Sequence, residues 1–273
     1  MAEPSAASQS AYTARGLTFR YRPAAPPAVA EISFRLPAGQ ATAILGPNGA
    51  GKSTLLHLLL GVLRPQTGDL RLFGRPLSAY GPAERSRLIS LVPQREHMPF
   101  AFRVHEYLLL GRTPYLSLLA QPSAADAAKA HAVLAQLNLQ HLAEREVASL
   151  SGGEHQLVLI ARALVQDTPV LLLDEPLAHL DLGNRQRVLA ILRRLVAQGR
   201  TVVFTTHDPQ AAGQVAQQVL LLRGGHLIFA GPAAAALTAE RLSALYGVPL
   251  RVRRVDGEVV VLEAPPSEGP RPS

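Results

Sequence analysis

The stretch GPNGAGKST at residues 46–54 lies between an apolar run at residues 41–45 and a leucine-rich run at residues 55–60. It contains the pattern Gly-x-x-x-x-Gly-Lys-Ser, which is typical of a phosphate-binding loop between a strand and a helix. Glycines allow the backbone to turn tightly and to direct its N–H groups at phosphate oxygens. The N-terminus of the following helix adds partial positive charge directed at the same anion. The stretch therefore predicts an α/β fold organised around a nucleotide.

The lysine of this loop is one of two in the chain, Lys52 and Lys129, among 27 basic residues that are otherwise arginine. An ammonium is a compact point charge, whereas the planar fork of arginine would not fit a narrow nest of backbone amides. We therefore expect Lys52 to contact the β- and γ-phosphates and the Ser53 hydroxyl to contact Mg²⁺. The loop residues that we expect to bind the nucleotide are Gly46, Asn48, Gly49, Ala50, Gly51, Lys52, Ser53 and Thr54.

The composition indicates a folded chain and does not favour nucleic-acid binding. Hydrophobic residues make up 48% of the 273 residues and charged residues 17%, which is enough apolar material for a core. The net charge is +7, but the basic residues are scattered and aromatic residues are 5% of the chain, so we expect no nucleic acid as a partner. An anionic membrane face or an acidic partner is compatible with this charge.

The sequence has no cysteine, which excludes disulfides, zinc–thiolate sites and cysteine nucleophiles and fits a cytosolic protein. We find no signal-peptide core at its start and no apolar run of the ~20 residues that span a bilayer. We therefore expect a chain that is soluble, or that binds a membrane through another protein. Residues 1–14 and 265–273 are expected to be disordered around a single domain at 15–264.

Short β-type runs alternate with helical patterns along that domain. Near-continuous apolar runs such as VLLLD at 170–174 are typical of parallel strands that helices cover on both faces. We predict an α/β fold with a P-loop NTPase core and a mainly parallel sheet, to which the strand-rich first third adds an antiparallel N-terminal β part at the edge. Residues 95–165 carry mostly helical patterns and predict an inserted helical subdomain. One helix should begin at Ser123, in a capping box with Asp126, and another should run over residues 183–198. The expected strands are 17–21, 31–36, 41–45, 70–73, 88–92, 170–174, 201–206, 219–222 and 226–230.

Two carboxylates, Asp174 and Glu175, follow the apolar run of VLLLDEP at residues 170–176. On its own this pattern also fits a strand that ends in a helix cap. Together with a phosphate-binding loop, it predicts that Asp174 holds Mg²⁺, directly or through water, and that Glu175 polarises the attacking water. The two motifs together indicate nucleotide hydrolysis.

A second anion site is indicated by LSGGEHQ at residues 150–156, which precedes a helical run. Ser151, Gly152 and Gly153 would start that helix and present its backbone N–H groups to a phosphate. The simpler alternative is an ordinary helix N-cap. A second phosphate site is unexpected in a protein with one nucleotide-binding loop.

Taken together, six motifs resemble those of the ATP-binding subunits of ABC transporters, over residues 12–250. In chain order they are GPNGAGKST, Gln94 in LVPQ, LSGGE, LLLDEP, AHLD at 178–181 and TTHD at 205–208. The resemblance implies that two copies of the chain pair head to tail. Each ATP would then lie between the phosphate-binding loop of one copy and the LSGGE turn of the other, which would account for the second anion site.

The resemblance also implies roles for four further residues. Tyr21 corresponds to the aromatic residue that stacks on adenine, although an ordinary strand aromatic would give the same pattern. Gln94 corresponds to the glutamine that reaches Mg²⁺ and the water, and that links the catalytic core to the helical subdomain. Asp181 corresponds to the residue that contacts the opposite subunit, and His207 to the switch histidine that contacts the γ-phosphate. The catalytic residues would thus be Glu175, His207, Gln94 and Lys52.

Two positions depart from the common pattern of the family. The loop AHLD replaces the more common SALD but keeps the aspartate, and Leu157 occupies a place where a basic residue is common. Neither departure removes a catalytic group, so the expected hydrolysis is unaffected.

Two further stretches resemble one group of importers. PFAFRVHEYLLLGRTPYLSLL at 99–119 corresponds to the region that receives the coupling helix of the membrane subunit, although internal packing would explain some of its apolar residues. VHEYLLLGRTPY at 104–115 and LYGVPLRV at 245–252 resemble importers of iron–siderophore complexes, haem and cobalamin, whose close relatives import molybdate or tungstate. The resemblance implies polytopic membrane permease subunits and, indirectly, a periplasmic binding protein as partners, with the chain peripheral on the cytoplasmic face of the inner membrane.

Other classes of ATPase fit less well. Long-coil DNA-repair ATPases separate the two anion-binding motifs by hundreds of residues, whereas about a hundred separate Gly46 from Ser151 here. Translation factors of this superfamily usually carry two cassettes in one chain, and this chain carries one. A small-molecule kinase or a GTPase would leave LSGGE without a purpose, and the guanine motif NKxD is absent from the sequence.

Overall fold

The computed structural model describes residues 10–94, 96, 100–117 and 120–263. Over these residues the chain forms twelve strands and nine α-helices. The strands are β1 (Ser10–Phe19), β2 (Val29–Pro37), β3 (Ala41–Leu45), β4 (Thr67–Leu72), β5 (Arg75–Pro76), β6 (Ile89–Val92), β7 (Val170–Leu173), β8 (Thr201–Thr206), β9 (Gln218–Arg223), β10 (His226–Pro232), β11 (Leu250–Val255) and β12 (Glu258–Glu263). The helices are α1 (Lys52–Leu60), α2 (Pro82–Ser86), α3 (Val104–Leu109), α4 (Ala124–Gln136), α5 (Gly152–Val165), α6 (Leu182–Ala197), α7 (Pro209–Val215), α8 (Ala233–Ala236) and α9 (Ala239–Tyr246).

A six-stranded sheet forms the centre of the fold, in the order β10-β9-β3-β8-β7-β6. Five of its strands are parallel, and β10 pairs antiparallel with β9 at one edge. Successive side chains of a strand point to opposite faces. In β7, Leu171 and Leu173 belong to one buried cluster, whereas Val170 and Leu172 belong to another. The sheet is therefore covered on both faces, as its near-continuous apolar strands predict.

The strands of the first third form a sheet of their own and not the expected edge of the central sheet. This antiparallel sheet has the order β2-β1-β4-β5. Buried and exposed residues alternate along β2, and such a one-sided apolar pattern suits an antiparallel sheet that packs on one face. Phe34 of β2, Leu56 of α1 and Leu172 of β7 belong to the same buried cluster. The two sheets therefore enclose α1, the helix that follows the phosphate-binding loop.

One prediction near the start of the domain needs correction, and one hairpin near its end was not predicted. Strand β1 begins at Ser10 and pairs with both β2 and β4, so residues 10–14 are not a disordered start. Tyr12 is fully buried and donates a hydrogen bond to the Leu59 carbonyl at 3.0 Å, which fixes β1 against α1. The hairpin of β11 and β12 is not predicted from the sequence, although its Asp256-Gly257 turn has the positive φ angles of a type I′ turn. Residues 1–9 and 264–273, which complete the two terminal segments, lie outside the described residues.

Helices α3, α4 and α5 lie between β6 and β7 in the chain. They pack against one another, and Tyr107, Leu134 and Val158 share a buried cluster with residues of the central sheet. Ser123 caps α4, and Asp126 completes the capping box, as predicted. Residues 95, 97–99, 118 and 119 of the expected helical subdomain lie outside the described part of the chain, and the bounds of that subdomain remain a prediction.

The helices after β7 are amphipathic or short. Helix α6 runs close to the predicted range and buries Val188, Leu192 and Leu195. Gly199 follows its end with a φ of 81°, a left-handed conformation that favours glycine after a helix. Across the part of the chain that the structure describes, no helix has the length and the apolar character that a membrane crossing requires.

Candidate active site

The predicted site lies where three neighbouring strands of the central sheet end. Strand β3 leads into the GPNGAGKST loop, β7 into the carboxylates Asp174 and Glu175, and β8 into His207. Strands β3 and β7 both pair in parallel with β8, so all three end at the same edge of the sheet. The fold thereby brings together motifs that lie far apart in the sequence.

Two glycines of the loop are required by close backbone contacts. A side chain at Gly46 would lie 2.2 Å from the Leu222 carbonyl oxygen. A side chain at Gly51 would lie 2.3 Å from the Ala28 carbonyl oxygen, and the φ of Gly51 is 99°. These contacts explain the glycine spacing, and they hold the loop at the N-terminus of α1, where free backbone N–H groups favour an anion.

Lys52 is buried at the end of the loop. Its ammonium donates hydrogen bonds to the carbonyl oxygens of Gly46 (2.9 Å) and Pro47 (3.2 Å). It also forms an ion pair with Glu175, with 3.1 Å between Nζ and Oε1. A buried charge without a partner is costly, so these contacts fix the ammonium beside the loop. The lysine of the first motif thus contacts the second carboxylate of LLLDEP.

Asp174 and Ser53, two of the expected ligands of Mg²⁺, are in contact. The Ser53 hydroxyl donates to Oδ1 of Asp174 at 3.1 Å. Thr205 donates to the same oxygen at 2.6 Å and accepts a hydrogen bond from the Glu175 backbone N–H at 2.7 Å. A hydroxyl and a carboxylate are oxygen donors of the kind that Mg²⁺ prefers, so this pair fits the ion. Thr205 is a site residue that sequence reasoning missed, although it lies inside the TTHD motif.

Glu175 lies between Lys52 and His207 in a strained conformation. Its φ is 47°, which costs a non-glycine residue roughly 1–3 kcal/mol. Its Oε2 lies 2.8 Å from Nδ1 of His207, whose side chain is 58% exposed. The carboxylate expected to polarise the attacking water therefore contacts both the lysine that is expected to bind phosphate and the expected switch histidine.

The connection that carries His207 is short and restrained. Asp208 caps α7 by accepting hydrogen bonds from the backbone N–H groups of Gln210 (2.8 Å) and Ala211 (3.3 Å). Arg185 of α6 forms an ion pair with the other oxygen of Asp208. The histidine is thus placed by its neighbours in the chain, because its own ring is largely exposed.

Two cavities at this edge of the sheet share Asn48, Gln94 and Glu175 in their walls. One has a volume of about 460 Å³ and is also lined by His207. The other, of about 540 Å³, is within the range of small-molecule sites. Gly46 lines neither cavity. The walls of the second cavity include the other expected loop residues and Tyr21, namely Gly49, Ala50, Gly51, Lys52, Ser53, Thr54 and Tyr21. Gln94 therefore lies in the walls of both cavities, together with the loop residue Asn48 and with Glu175. Its role towards Mg²⁺ and the water stays a prediction.

Tyr21 lies beyond strand β1, which ends at Phe19 and not at residue 21. Its ring is 62% exposed and packs edge-to-face on Phe19, with 5.0 Å between the ring centroids. Its hydroxyl lies 3.2 Å from Oγ1 of Thr54 in the loop. An exposed ring beside the cavity can stack on a flat ligand, so its placement favours the adenine contact over an ordinary strand aromatic.

The turn of Ser151, Gly152 and Gly153 starts α5 but lines neither cavity. The backbone N–H of Ser151 donates to the Glu154 carboxylate at 2.9 Å, and its hydroxyl donates at 2.8 Å. Both hydrogen bonds lower the pKa of Glu154, and the one from the backbone N–H has the larger effect. Ser151 and Gly152 are exposed, so the turn is a helix cap and also an accessible surface of the chain.

Asp181 caps α6 and is linked to that turn through Asn184. It accepts hydrogen bonds from the backbone N–H and from Nδ2 of Asn184, both at 2.8 Å, and these lower the pKa of Asp181. A side chain at Gly153 would lie 2.1 Å from Nδ2 of Asn184. Asn184 therefore connects the AHLD and LSGGE motifs within one chain, a role that sequence reasoning missed although LDLGN at 180–184 contains it.

Known proteins are similar in sequence to this chain over most of its length. Residues 29–178 match the family model for ABC transporters. An iron chelatin transport ATP-binding protein of Helicobacter pylori is 37% identical over 233 residues, which cover 85% of this chain and 91% of that protein. The molybdate import ATP-binding protein MolC of Haemophilus influenzae is 42% identical over 221 residues, which cover 81% of this chain and 82% of that protein.

Solved structures share the fold. An inward-facing metal-chelate type ABC transporter superposes with a TM-score of 0.82 at 37% identity, covering 93% of this chain and 97% of that chain. The same mixed α/β architecture, with its parallel strands and its loop before α1, is therefore found in a transporter whose sequence is also related. This chain belongs to the ABC transporter family, as one of the ATP-binding subunits whose ATP hydrolysis drives transport.

Proposed function

We propose that this importer-type ABC ATPase powers the uptake of a metal complex, of the iron–siderophore, haem or cobalamin type, through a membrane permease. The observation that carries the hydrolytic part is the contact of Glu175 with both Lys52 and His207. The transport part rests on the related sequences and on an exposed apolar surface beside the helical part.

Glu175 is the residue that we assign to the attacking water. Water held by Glu175 attacks the γ-phosphorus, the bond from phosphorus to the β,γ-bridging oxygen breaks, and ADP and phosphate form. When ATP binds, Lys52 exchanges the Glu175 carboxylate for oxygens of the β- and γ-phosphates, which releases Glu175 to orient the water. His207 and Gln94 contact the γ-phosphate and the water.

The loop residues from Gly46 to Thr54 cradle the phosphates, and Tyr21 stacks on the adenine. Ser53 and Asp174 would hold Mg²⁺ together with Gln94, which lines the loop cavity as Ser53 does. When bound, the ion neutralises charge that develops on the phosphate oxygens. The contact between Ser53 Oγ and Asp174 Oδ1 supports this assignment because it brings two oxygen donors of the kind that Mg²⁺ prefers within 3.1 Å of each other.

A second copy of the chain completes each site. Ser151 and Gly152 lie exposed and Gly153 partly exposed at the N-terminus of α5, where backbone N–H groups favour an anion, yet all three residues line no cavity around Lys52. In a head-to-tail pair they face the ATP on the other copy's loop. Asp181 then contacts the opposite subunit.

Glu175→Gln tests this pairing. The amide keeps the shape of the carboxylate but is a poor base, so ATP is held without turnover and the closed pair accumulates. We expect size-exclusion chromatography with light scattering to give twice the mass of the chain in Mg·ATP and the mass of one chain in Mg·ADP. A single-chain mass at saturating Mg·ATP would contradict the shared site.

The contact with the permease is supported by the stretch at 99–119 and its surroundings. Phe100 is 69% exposed, Leu110 42% and Val62, which lies nearby, 68%. Val62 and Leu110 line a groove of about 300 Å³. Exposed apolar side chains beside a groove favour an interaction surface. Internal packing explains the buried residues Val104, Tyr107 and Leu108, and it leaves Phe100 and Leu110 for a helix of the permease.

The cargo is selected by the permease and by a periplasmic binding protein, and the chain works peripherally on the cytoplasmic face of the inner membrane. Molybdate or tungstate is the second candidate cargo. It is kept because the molybdate import protein is 42% identical to this chain, an identity no lower than the 37% of the iron chelatin transport protein. Uptake of labelled iron–siderophore, haem, cobalamin and molybdate by a deletion strain separates the candidates. Normal uptake of every cargo, with recovery of the chain on ribosomes or DNA, would contradict the transport role.

A further inference from the structure

Tyr246, the last residue of α9, contacts the backbone of the switch segment. Its hydroxyl donates a hydrogen bond to the His207 carbonyl oxygen at 2.6 Å. Tyr246 lies in the LYGVPLRV stretch, which has no role in the hydrolysis proposed above. The contact therefore joins the C-terminal part of the chain to the connection between β8 and α7.

Helix α9 holds Tyr246 in a fixed place. Leu242 and Leu245 are fully buried, so the helix cannot shift without disturbing the core. Gly247 ends the helix with a φ of 74°, a conformation that favours glycine. Arg223 of β9 donates a hydrogen bond to the Ala244 carbonyl oxygen. The phenol thus extends from a rigid helix end towards His207.

The phenol of Tyr246 is a hydrogen-bond donor. Burial raises the pKa of Tyr246, and the nearby carboxylates of Asp208 and Glu175 raise it further. The hydroxyl therefore keeps its proton throughout the physiological range, and the carbonyl oxygen of His207 accepts it.

The ring of His207 depends on its backbone for position. The ring is exposed, and its polar contact is with Glu175, at 2.8 Å. On the C-terminal side, the Thr206 hydroxyl accepts a hydrogen bond from the Asp208 N–H at 3.0 Å, and Arg185 pairs with the Asp208 carboxylate. Tyr246 restrains the same connection at the His207 carbonyl, so the peptide that carries the imidazole is held from two sides.

We propose that Tyr246 is a positioning residue for ATP hydrolysis, whose hydrogen bond fixes the His207 peptide so that the imidazole stays against Glu175. This inference rests on the proposed roles of His207 and Glu175. Tyr246 lines neither cavity of the site, so it acts through His207 and does not contact ATP. Loss of one hydrogen bond of ordinary strength should lower kcat by roughly 2- to 12-fold, with KM unchanged.

Tyr246→Phe in the full chain tests the inference, with Tyr80→Phe as the matched control. The Tyr80 hydroxyl also donates to a backbone carbonyl, that of Leu72 at 2.9 Å, but it lies beside the antiparallel sheet. Steady-state hydrolysis of radiolabelled ATP gives kcat and KM, a fluorescent ATP analogue gives the affinity, and thermal melting gives the stability. We expect a lower kcat for Tyr246→Phe alone, with ATP affinity and KM as in the wild type.

A double-mutant cycle with His207→Ala separates positioning from a general structural effect. If Tyr246 acts through His207, adding Tyr246→Phe to His207→Ala lowers the remaining turnover no further. The inference is overturned if Tyr246→Phe keeps the wild-type kcat while His207→Ala is slow. It is also overturned if the loss persists in the His207→Ala background, or if kcat falls equally in Tyr80→Phe along with the melting temperature. Wild-type turnover in His207→Ala would instead refute the proposed role of His207 itself.

Discussion

Thr205→Val removes the hydroxyl that connects the Asp174 carboxylate to the Glu175 backbone while keeping the shape of the side chain. The hydroxyl donates to Asp174 at 2.6 Å and accepts from the Glu175 N–H at 2.7 Å. A hydrogen bond to a charged group contributes about 1.5–3 kcal/mol, and an unpaired buried N–H costs about 1–3 kcal/mol. Because the two effects share one side chain, we expect the free energy of unfolding to fall by about 3–5 kcal/mol. A domain in the middle or upper part of the usual stability range of about 5–15 kcal/mol should still fold after this loss.

Turnover should suffer as well. Glu175 has a φ of 47°, and without the bond to Thr205 its backbone can relax and displace the carboxylate. A displacement of about 1 Å in a catalytic group can lower the rate roughly 100-fold, so we expect kcat to fall by about 10- to 100-fold. Hydrolysis at saturating Mg·ATP measures this, and urea unfolding followed by circular dichroism measures the stability.

Thr201→Val is the control on the same strand. Thr201 is buried, and its hydroxyl accepts a hydrogen bond from the Gly39 N–H at 2.9 Å, far from the carboxylates. It should lose about 1–3 kcal/mol of stability and keep its kcat. A Thr205→Val protein that hydrolyses ATP as fast as Thr201→Val would refute the idea that Thr205 holds Glu175 in its working position.

Lys52 and Asp126 give two further predictions. Lys52→Ala should weaken the binding of a fluorescent ATP analogue by about 10-fold or more, since each hydrogen bond to a charged group contributes about 1.5–3 kcal/mol. Lys52→Arg should not restore it, because the guanidinium fork does not fit the loop; wild-type affinity in that variant would contradict this. Hydrogen bonds from the Ser123 side chain and from Arg112 lower the pKa of Asp126 to about 2. The contribution of this carboxylate to stability is therefore present above its ordinary pKa of about 4 and is lost as the pH falls towards 2. The free energy of unfolding of Asp126→Asn should vary less with pH in this window than that of the wild type, and equal slopes would count against the assignment.

Buried parallel strands and the motifs at their ends were the most predictable parts of the molecule. Strands β3 and β8 have the predicted bounds, and β7 is one residue shorter than predicted. Continuous apolar runs leave few alternatives for such segments, because a strand with both faces buried needs them. A glycine-rich loop next to one of these runs also determines which end of the strand carries the site. This is why Lys52 and Asp174 could be grouped from the residues alone, whereas His207 was added by the family resemblance.

Contacts between distant parts of the chain could not be predicted. Nothing in a single sequence indicates that Asn184 lies against Gly153, or that the Thr205 hydroxyl bonds to the Asp174 carboxylate and the Glu175 backbone N–H, since these contacts depend on packing. The burial of Leu157 was not predicted either. This residue departs from the common family pattern, and the structure places it fully buried in α5. By contrast, the Asp256-Gly257 turn was available as a local signal for a hairpin.

The strands that end at the site are joined in a continuous ladder, in which Leu45 pairs with Thr206, and Leu173 with Phe204. Neighbouring strands can slide only in whole-residue steps, and a single step would turn every side chain to the opposite face. The pairing therefore fixes the relative positions of the strand ends that carry the site residues, and these ends cannot move apart by small amounts. On heating, ATPase activity should therefore not decline gradually, and it should be lost in the transition in which the central sheet unfolds.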